Sequence, residues 1–432
     1  MSISRLLFGL IGLVILLAIF GLWSGEPLEG LWRWPAAILL ILVAWEYNLA
    51  SVSLRIHRET PSVAALGEPV AYRITACNQS RSLLVFETQA DYPAELEGDQ
   101  SLQRWRLKAS QSESRSFRIR GNTLGDARLG RLYWKQLGRF GLCWWTHHFN
   151  DRSSLRVEPV RLEKISRPEG LRGSGRNRGS NRPGGGVELL HLRDYQPGDS
   201  MRMIDWKASA RRRKMMVRNF EPEHRLEIVI LIDCGIGSRL QCGNLDRLHH
   251  YVNVSAKLTE LAGLQGDRIA CITYAQQVTG RVPLTGGIKA LSQIRALIGG
   301  LSASNETANA LQAALEVRQI LKHRGLVVFL TEIEQTEAAS QLIQASRLLS
   351  RKHQVLIATL EDPSISDLLT QSSASGGDAY LQLAALEYLK GKALTHDHLL
   401  RQGVAITSAP SKLLDRKVLN YYQEHRGAIV GI

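Results

Sequence analysis

Leu226-Glu227-Ile228-Val229-Ile230-Leu231-Ile232-Asp233 reads as a strand buried on both faces: an apolar run with no clean polar side, closed by an acid. Residues 268–274, 326–331, 355–360 and 404–407 are of the same kind. Between them the apolar positions take a helical spacing, over about 246–264, 288–298, 307–322 and 337–350. In the last of these, Ala338, Leu342, Ala345 and Leu349 recur at i, i+4, i+7 and i+11 and form one stripe. A final helix is expected over about 411–426, with Leu414, Val418 and Tyr421 on one face and Gly427 as its terminator. Strands alternating with helices predict an α/β domain with a doubly wound parallel sheet over residues 226–432. Ligands of such sheets bind beyond the carboxyl ends of the strands. Asp233 at the end of the first strand, Thr307 at the start of a helix and Glu332 after the 326–331 strand all fall there.

Upstream lies a segment dense in opposite charges: Glu188-Leu-Leu-His-Leu-Arg193-Asp194-Tyr195-Gln-Pro197-Gly198-Asp199-Ser-Met-Arg202-Met-Ile-Asp205-Trp206-Lys207-Ala-Ser209-Ala210-Arg211. It reads as a strand, a Pro-Gly turn, and a stretch in which Asp194, Asp199 and Asp205 alternate with Arg193, Arg202, Lys207 and Arg211. Arginine holds a carboxylate through two parallel hydrogen bonds, so such a segment can lock a loop into one shape. Trp206 offers a large anchor with one donor. The network either clamps the motif onto its neighbours or presents a recognition surface. Catalysis is the weakest reading, because arginine partners keep the carboxylates ionised and no Ser/His/Asp arrangement accompanies them.

This segment resembles the signature of a bacterial family catalogued as domain of unknown function fifty-eight, roughly L-R-x-Y-x-P-G-D-x-x-R-x-I-D-W-x-x-S-A-R. The chain matches at Leu192, Arg193, Tyr195, Pro197, Gly198, Asp199, Arg202, Ile204, Asp205, Trp206, Ser209, Ala210 and Arg211. The resemblance implies a von Willebrand factor A-like C-terminal domain, association with a MoxR-type AAA ATPase, and an adaptor role in which the domain binds the ATPase or its client. It also implies a metal-ion-dependent adhesion site of the pattern D-x-S-x-S, then Thr, then Asp, which would fall on Asp233, Thr307 and Glu332. Hard oxygen ligands of that kind suit Mg²⁺. The chain departs from the pattern: Cys234-Gly235-Ile236-Gly237-Ser238 puts glycine at both serine positions, and Glu332 stands where aspartate is usual. Magnesium is therefore expected at most at a degenerate site.

Working toward the N-terminus, residues 167–186 are rich in Arg, Gly, Asn and Ser and read as a solvated linker. Arg172, Arg176, Arg178 and Arg182 could meet phosphates, but no aromatic residue is interleaved for base stacking, which argues against a nucleic-acid partner. From 53 to 149 short alternating segments, at 70–76, 83–88, 105–108, 116–120 and 128–134, are parted by turn signals such as Gly125-Asp126. They predict a small antiparallel sandwich or barrel. Phe140, Trp144, Trp145 and Phe149 read as core or membrane-facing packing, and His147-His148 as surface residues.

Residues 6–23 are uncharged and strongly apolar, and a second apolar run spans about 31–49 with Arg33 and Glu46 near its ends. A crossing needs about 20 residues, so both are candidate spans of a two-helix membrane anchor. Arg5 precedes the pair and Arg55 and Arg58 follow it, whereas the intervening loop carries Glu26 and Glu29. The positive-inside rule then puts both ends in the cytoplasm, and the resemblance implies the bacterial inner membrane. The expected organisation is an anchor at 1–50, a β-rich domain at 51–160, linker and signature at 161–225, and the α/β domain at 226–432.

A chain of 432 residues exceeds one ordinary core, and a net charge of +14 favours acidic partners or anionic headgroups. Five cysteines with no C-x-x-C signal neither a disulfide framework nor a zinc site, and no G-x-x-x-x-G-K-S/T phosphate loop occurs. The functional expectation is a partner-binding adaptor, not an enzyme. The alternatives are a divalent-metal-dependent adhesion module and a basic surface for anionic lipid or nucleic acid.

Overall fold

The computed structural model describes residues 2–24, 30, 32–49, 54–149, 153–162, 189–197, 199–220, 225–333, 337–370 and 376–430. The basic linker, with Arg172, Arg176, Arg178 and Arg182, and Gly198 of the signature lie outside the described residues. The chain divides into two compact units, Met1–Pro159 and Val160–Ile432.

The first unit begins with two helices, α1 (Arg5–Ser24) and α2 (Arg33–Leu49). Among the described residues α1 is the one helix long and apolar enough to cross a membrane. The second expected span is a helix of 17 residues, short of the usual crossing length. Phe8, Leu16, Leu22 and Trp23 on α1, and Trp34, Leu40 and Ile41 on α2, are exposed.

Three sheets complete this unit. One runs β1 (Ser2–Ile3), β11 (Cys143–Phe149), β10 (Leu132–Leu137), β5 (Leu84–Ala90), β7 (Gln103–Leu107). The next runs β2 (Leu54–Glu59), β4 (Pro69–Asn78), β8 (Ser112–Gly121), β6 (Leu96–Gly98), and a small third runs β3 (Val63–Ala65), β12 (Ser154–Glu158), β9 (Gly125–Arg128). All pairs are antiparallel except β3 with β12. Every second residue of β4 from Tyr72 onward is buried, the period expected of a strand with one face in a core. Phe86 and Trp105 stack at 5.6 Å, and the Trp105 indole donates to Thr88 Oγ1 at 2.9 Å.

The strand expected at 128–134 is in fact two, β9 and β10, and Gly125-Asp126 opens β9 instead of turning. The break falls at Gly130, where a Cβ would lie 2.2 Å from the Asp91 carbonyl oxygen; only glycine allows that approach. Trp145 is buried and Tyr47 of α2 lies against its ring at 5.2 Å, while Phe140 meets Trp45 at 5.6 Å. The aromatic cluster therefore packs against the helix. His147 is not a free surface residue: it stacks on Trp134 at 5.5 Å.

Glu46 near the end of α2 is fully buried and accepts from the backbone N–H groups of Phe140 at 2.9 Å and Cys143 at 3.0 Å. It fills the space above Gly138, where a Cβ would come within 2.1 Å of the carboxylate carbon. At the other end of the helix pair, β1 pairs with Cys143 and Trp144, and Leu7 of α1 packs with Leu142 and Trp145.

The second unit is a mixed α/β structure around a six-stranded sheet. Its order is β19 (Val278–Gly286), β18 (Arg268–Tyr274), β15 (Glu227–Asp233), β20 (Leu326–Leu330), β21 (Gln354–Glu361), β22 (Ala405–Pro410). Neighbours are parallel except the edge strand β19, which runs antiparallel to β18. Val229 and Leu231 share a buried cluster with Ala313 and Val317 of α6 (Ala310–Ile320) and with Leu342 and Ala345 of α7 (Glu337–Ser350). Side chains alternate along a strand, so Ile228, Ile230 and Ile232 point the other way; α4 (Arg247–Leu264) contacts β15 and β18 and packs on α5 (Gly287–Ile298) and α10 (Leu414–Val430). Asp267, fully buried, accepts from the Leu226 N–H at 3.0 Å and from Arg426 at 2.9 Å, which ties α10 to the start of the sheet.

Three elements were not expected and two expectations are corrected. The edge strand β19 was not anticipated, and neither were the helices α8 (Pro363–Thr370) and α9 (Gly376–Arg401). Thr307 does not open a helix: α6 starts at Ala310, capped by the Asn309 side chain, which accepts from the Gln312 N–H. Gly427 does not end α10, which continues to Val430; a glycine stops a helix when it turns left-handed, and this one stays helical.

Candidate functional site

The signature folds as a pinned loop between two paired strands, β13 (Leu189–Asp194) and β14 (Met216–Phe220). Arg193 grips Asp199 with both terminal nitrogens, at 2.7 and 2.6 Å, and Asp199 also accepts from the Gln196 N–H at 2.8 Å. The Arg193 guanidinium holds the Asp199 carboxyl below the usual carboxylate range. The Tyr195 N–H donates to the Met215 carbonyl at 2.8 Å, so the loop is tied on both sides. Pro197 is exposed at its turn.

Asp205 caps the short helix α3 (Trp206–Arg212) by accepting from the Ala208 N–H at 3.0 Å, the first cause of its own lowered pKa. Ser209 donates to the Asp205 carbonyl at 2.7 Å and accepts from the Met216 N–H at 2.8 Å, which joins the helix to β14. Arg213 then takes a left-handed backbone, φ 51°, to turn the chain. Ile204, Met216 and Val217 are buried beneath this arrangement.

The alternation of charges in the signature assigns Asp205 no particular cation. Its partner is Arg218 of β14 at 3.3 Å, beyond the end of the signature, while Lys207 and Arg211 are exposed. Arg202 sits on the 3-10 turn Met201–Met203. Trp206 does not serve as a buried anchor: it is 65% exposed, and Met201 is 72% exposed.

The second set of candidates meets at the carboxyl ends of the strands. Asp233, Thr307 and Glu332 line one small cavity of about 30 Å³. The 304–309 segment is stitched over it, with the Ser304 N–H donating to the Cys234 carbonyl at 2.7 Å and the Ile236 N–H to the Glu306 carbonyl at 2.9 Å. Asp233 Oδ1 accepts from the Gly235 N–H at 2.8 Å and Oδ2 from the Thr331 hydroxyl at 2.6 Å. Ser238 donates to the Asp233 main-chain carbonyl at 2.7 Å, so it braces the loop from below. Glu332 Oε1 accepts from Lys392 at 2.5 Å, and Arg247 lies 3.8 Å from Oε2.

These residues do not fit the magnesium site that the resemblance implies. Both oxygens of Asp233 already accept hydrogen bonds, and Glu332 carries two organic cations. At Gly235 a Cβ would lie 2.8 Å from the Ala308 nitrogen, so the 304–309 segment fills the space a ligating serine would need. Octahedral Mg²⁺ tolerates such losses poorly. Burial pushes the Cys234 thiol of this loop up to about 12, where it stays protonated. Lys392, which lies in the unanticipated helix α9, and Arg247 at the start of α4 are the residues of this rim that sequence reasoning missed. Nothing in the sequence near Glu332 announces either partner.

Comparison with known proteins bears on the second unit. Residues 191–372 match the family model described as "Protein of unknown function DUF58". Uncharacterized proteins of Mycobacterium tuberculosis and Mycobacterium bovis are 24% identical over 202 residues, 45% of this chain and 63% of theirs. The chain thus spans less than two thirds of these relatives. The uncharacterized protein YeaD of Bacillus subtilis is 45% identical over 42 residues, 10% of this chain and 11% of that protein. Among solved structures, the conserved hypothetical protein BatB of Bacteroides thetaiotaomicron aligns with 46% of this chain and 99% of its own at 11% identity, TM-score 0.31.

Proposed function

We propose that this chain, which belongs to the DUF58 family over residues 191–372, is a membrane-anchored adaptor that binds a partner protein and does no chemistry of its own. Its second unit is then a doubly wound, von Willebrand factor A-like domain in the cytoplasm, and its partner a MoxR-type AAA ATPase or that ATPase's client. The parallel order of β18, β15, β20, β21 and β22 supports the domain reading. The exposed apolar side chains of α1 and α2 support an inner-membrane hairpin, and so does the docking of the start of α1 and the end of α2 on the same 138–145 stretch of the first unit.

The observation that carries the binding reading is Trp206. A tryptophan that served only packing would be buried, yet this one stands exposed at the start of α3, which the Asp205 cap fixes beside the Arg193–Asp199 clamp. Tryptophan on a rigid support loses little freedom on binding and is enriched at energetic centres of interfaces. Ile236 and Leu240, exposed beside Asp233, offer a second apolar patch at the strand rim.

The test is crosslinking and co-purification from membranes under several nucleotide conditions, comparing wild type with Trp206→Ala and with Ile236→Lys. Trp206→Ala should lower recovery of the ATPase at least tenfold, the equivalent of about 1.4 kcal/mol, with an unchanged circular dichroism spectrum. Recovery of no AAA ATPase under any condition, or equal recovery with Trp206→Ala, would sink the proposal. So would turnover of a substrate by the purified chain alone.

A further inference from the structure

We infer that a cavity at the carboxyl ends of β21 and β22 is a binding site for a monocarboxylate with an apolar body. It measures about 530 Å³, within the range of roughly 300–1,000 Å³ usual for small-ligand sites. It opens where ligands of parallel sheets bind, beyond the strand ends, and α8 and α9 close it. Ile333, Leu360, Ile365, Leu389 and Pro410 supply apolar wall.

Two polar side chains of this wall are buried with one polar atom each unpartnered. Arg247 is 5% exposed and its Nε has no partner; Thr359 is fully buried and its hydroxyl has none. Buried donors are rarely left so, and both belong to residues that line the cavity. Charge points the same way. Arg247 and Lys392, which share the carboxylate of Glu332, place the two cationic side chains of the wall together. The edge of a guanidinium that includes Nε is suited to a carboxylate.

Facing that end are His396 of α9, the exposed acids Glu361 and Asp367, and the half-buried Asp362, whose carboxylate is held by the Ser364 N–H at 3.0 Å and hydroxyl at 2.7 Å. Acids at the mouth disfavour a second negative charge on the occupant. An occupant with one anionic end inside, an apolar middle and a neutral or cationic outer end matches the cavity along its length. Peptide chain ends with an apolar last residue have this chemistry, and so do short fatty acids.

The test is titration calorimetry on the full chain in nanodiscs, with hexanoate, with an acetylated tripeptide acid ending in leucine, and with the same tripeptide amidated. At least one carboxylate should bind, and the amide at least tenfold more weakly. Thr359→Val keeps the volume and removes the hydroxyl; it should weaken the carboxylate about tenfold while leaving the ligand-free melting temperature equal or higher, because it deletes an unpaired buried group. A tighter peptide acid assigns the site to chain ends, a tighter hexanoate to free acids, and each supports the site. Binding of neither below about 10 mM, amide binding equal to acid binding, or unchanged affinity in Thr359→Val overturns it. No partner protein enters the titration, so its outcome is independent of the adaptor reading.

Discussion

Two of the arginine–carboxylate clusters in the second unit are built on opposite principles. In the signature, Arg193 and Asp199 meet one to one and bidentate, with a backbone N–H as a third donor and both side chains partly open to solvent. At the strand rim, Arg247 and Glu332 are both nearly sealed from solvent, yet their closest approach is 3.8 Å, one guanidinium nitrogen is unpartnered, and a second cation shares the carboxylate. The first geometry shapes a loop at small desolvation cost. The second carries a large desolvation cost with incomplete compensation, and a buried ion cluster of that kind is poor evidence of design for stability. The difference separates scaffold from site: a saturated charge pair holds something still, and an unsaturated one waits for something.

That contrast can be broken most directly at Glu332. Glu332→Ala leaves Arg247 and Lys392 without their shared anion and should cost about 3–5 kcal/mol in urea unfolding of the full chain. A cost under 1 kcal/mol would mean that water already reaches the cluster. Next in size, Gly235→Ser forces a side chain against the Ala308 backbone and should cost about 1–3 kcal/mol, with no stabilisation by Mg²⁺ or Mn²⁺ in thermal melts. Recovery of cation-dependent stability would show that the rim is a metal site lacking only its serine.

The exposed clamp should respond more gently. Asp199→Ala should speed proteolysis between residues 195 and 205 while the global midpoint stays within error. The Asp199 pKa is depressed in the folded state, so the clamp's contribution is complete above the unfolded value near 4 and fades as pH falls through the lower folded value. Amide exchange at Gln196, corrected for its intrinsic rate, should therefore be protected above the unfolded value and lose protection as the pH falls through the lower folded one. Smallest of all, 1 M salt should loosen this loop slightly and leave the rim untouched, since screening acts on charges that water reaches.

Much of the second unit was legible because its strands are apolar throughout and its helices periodic. Residues 268–274 and 337–350 were read with the bounds the structure shows. The edge strand β19 escaped because Gly280 and Pro283 argue against a strand; an edge strand tolerates both, having one side free of a ladder. Helix α9 escaped because its leucines do not segregate: Leu383, Leu386 and Leu394 are exposed while Leu399 is buried. The clamp partner Asp199 lay six residues from Arg193 and was visible. Lys392 lies sixty residues beyond Glu332 in sequence, and only the fold brings them together.

Glu46 sits in the turn around Gly138 as a key sits in a lock, with no slack between the carboxylate and the amides it receives. The end of α2 and the 138–143 turn therefore behave as one lever and not as beads on a string. A sideways load on that turn would be felt as bending of the helix, because the buried carboxylate couples the two.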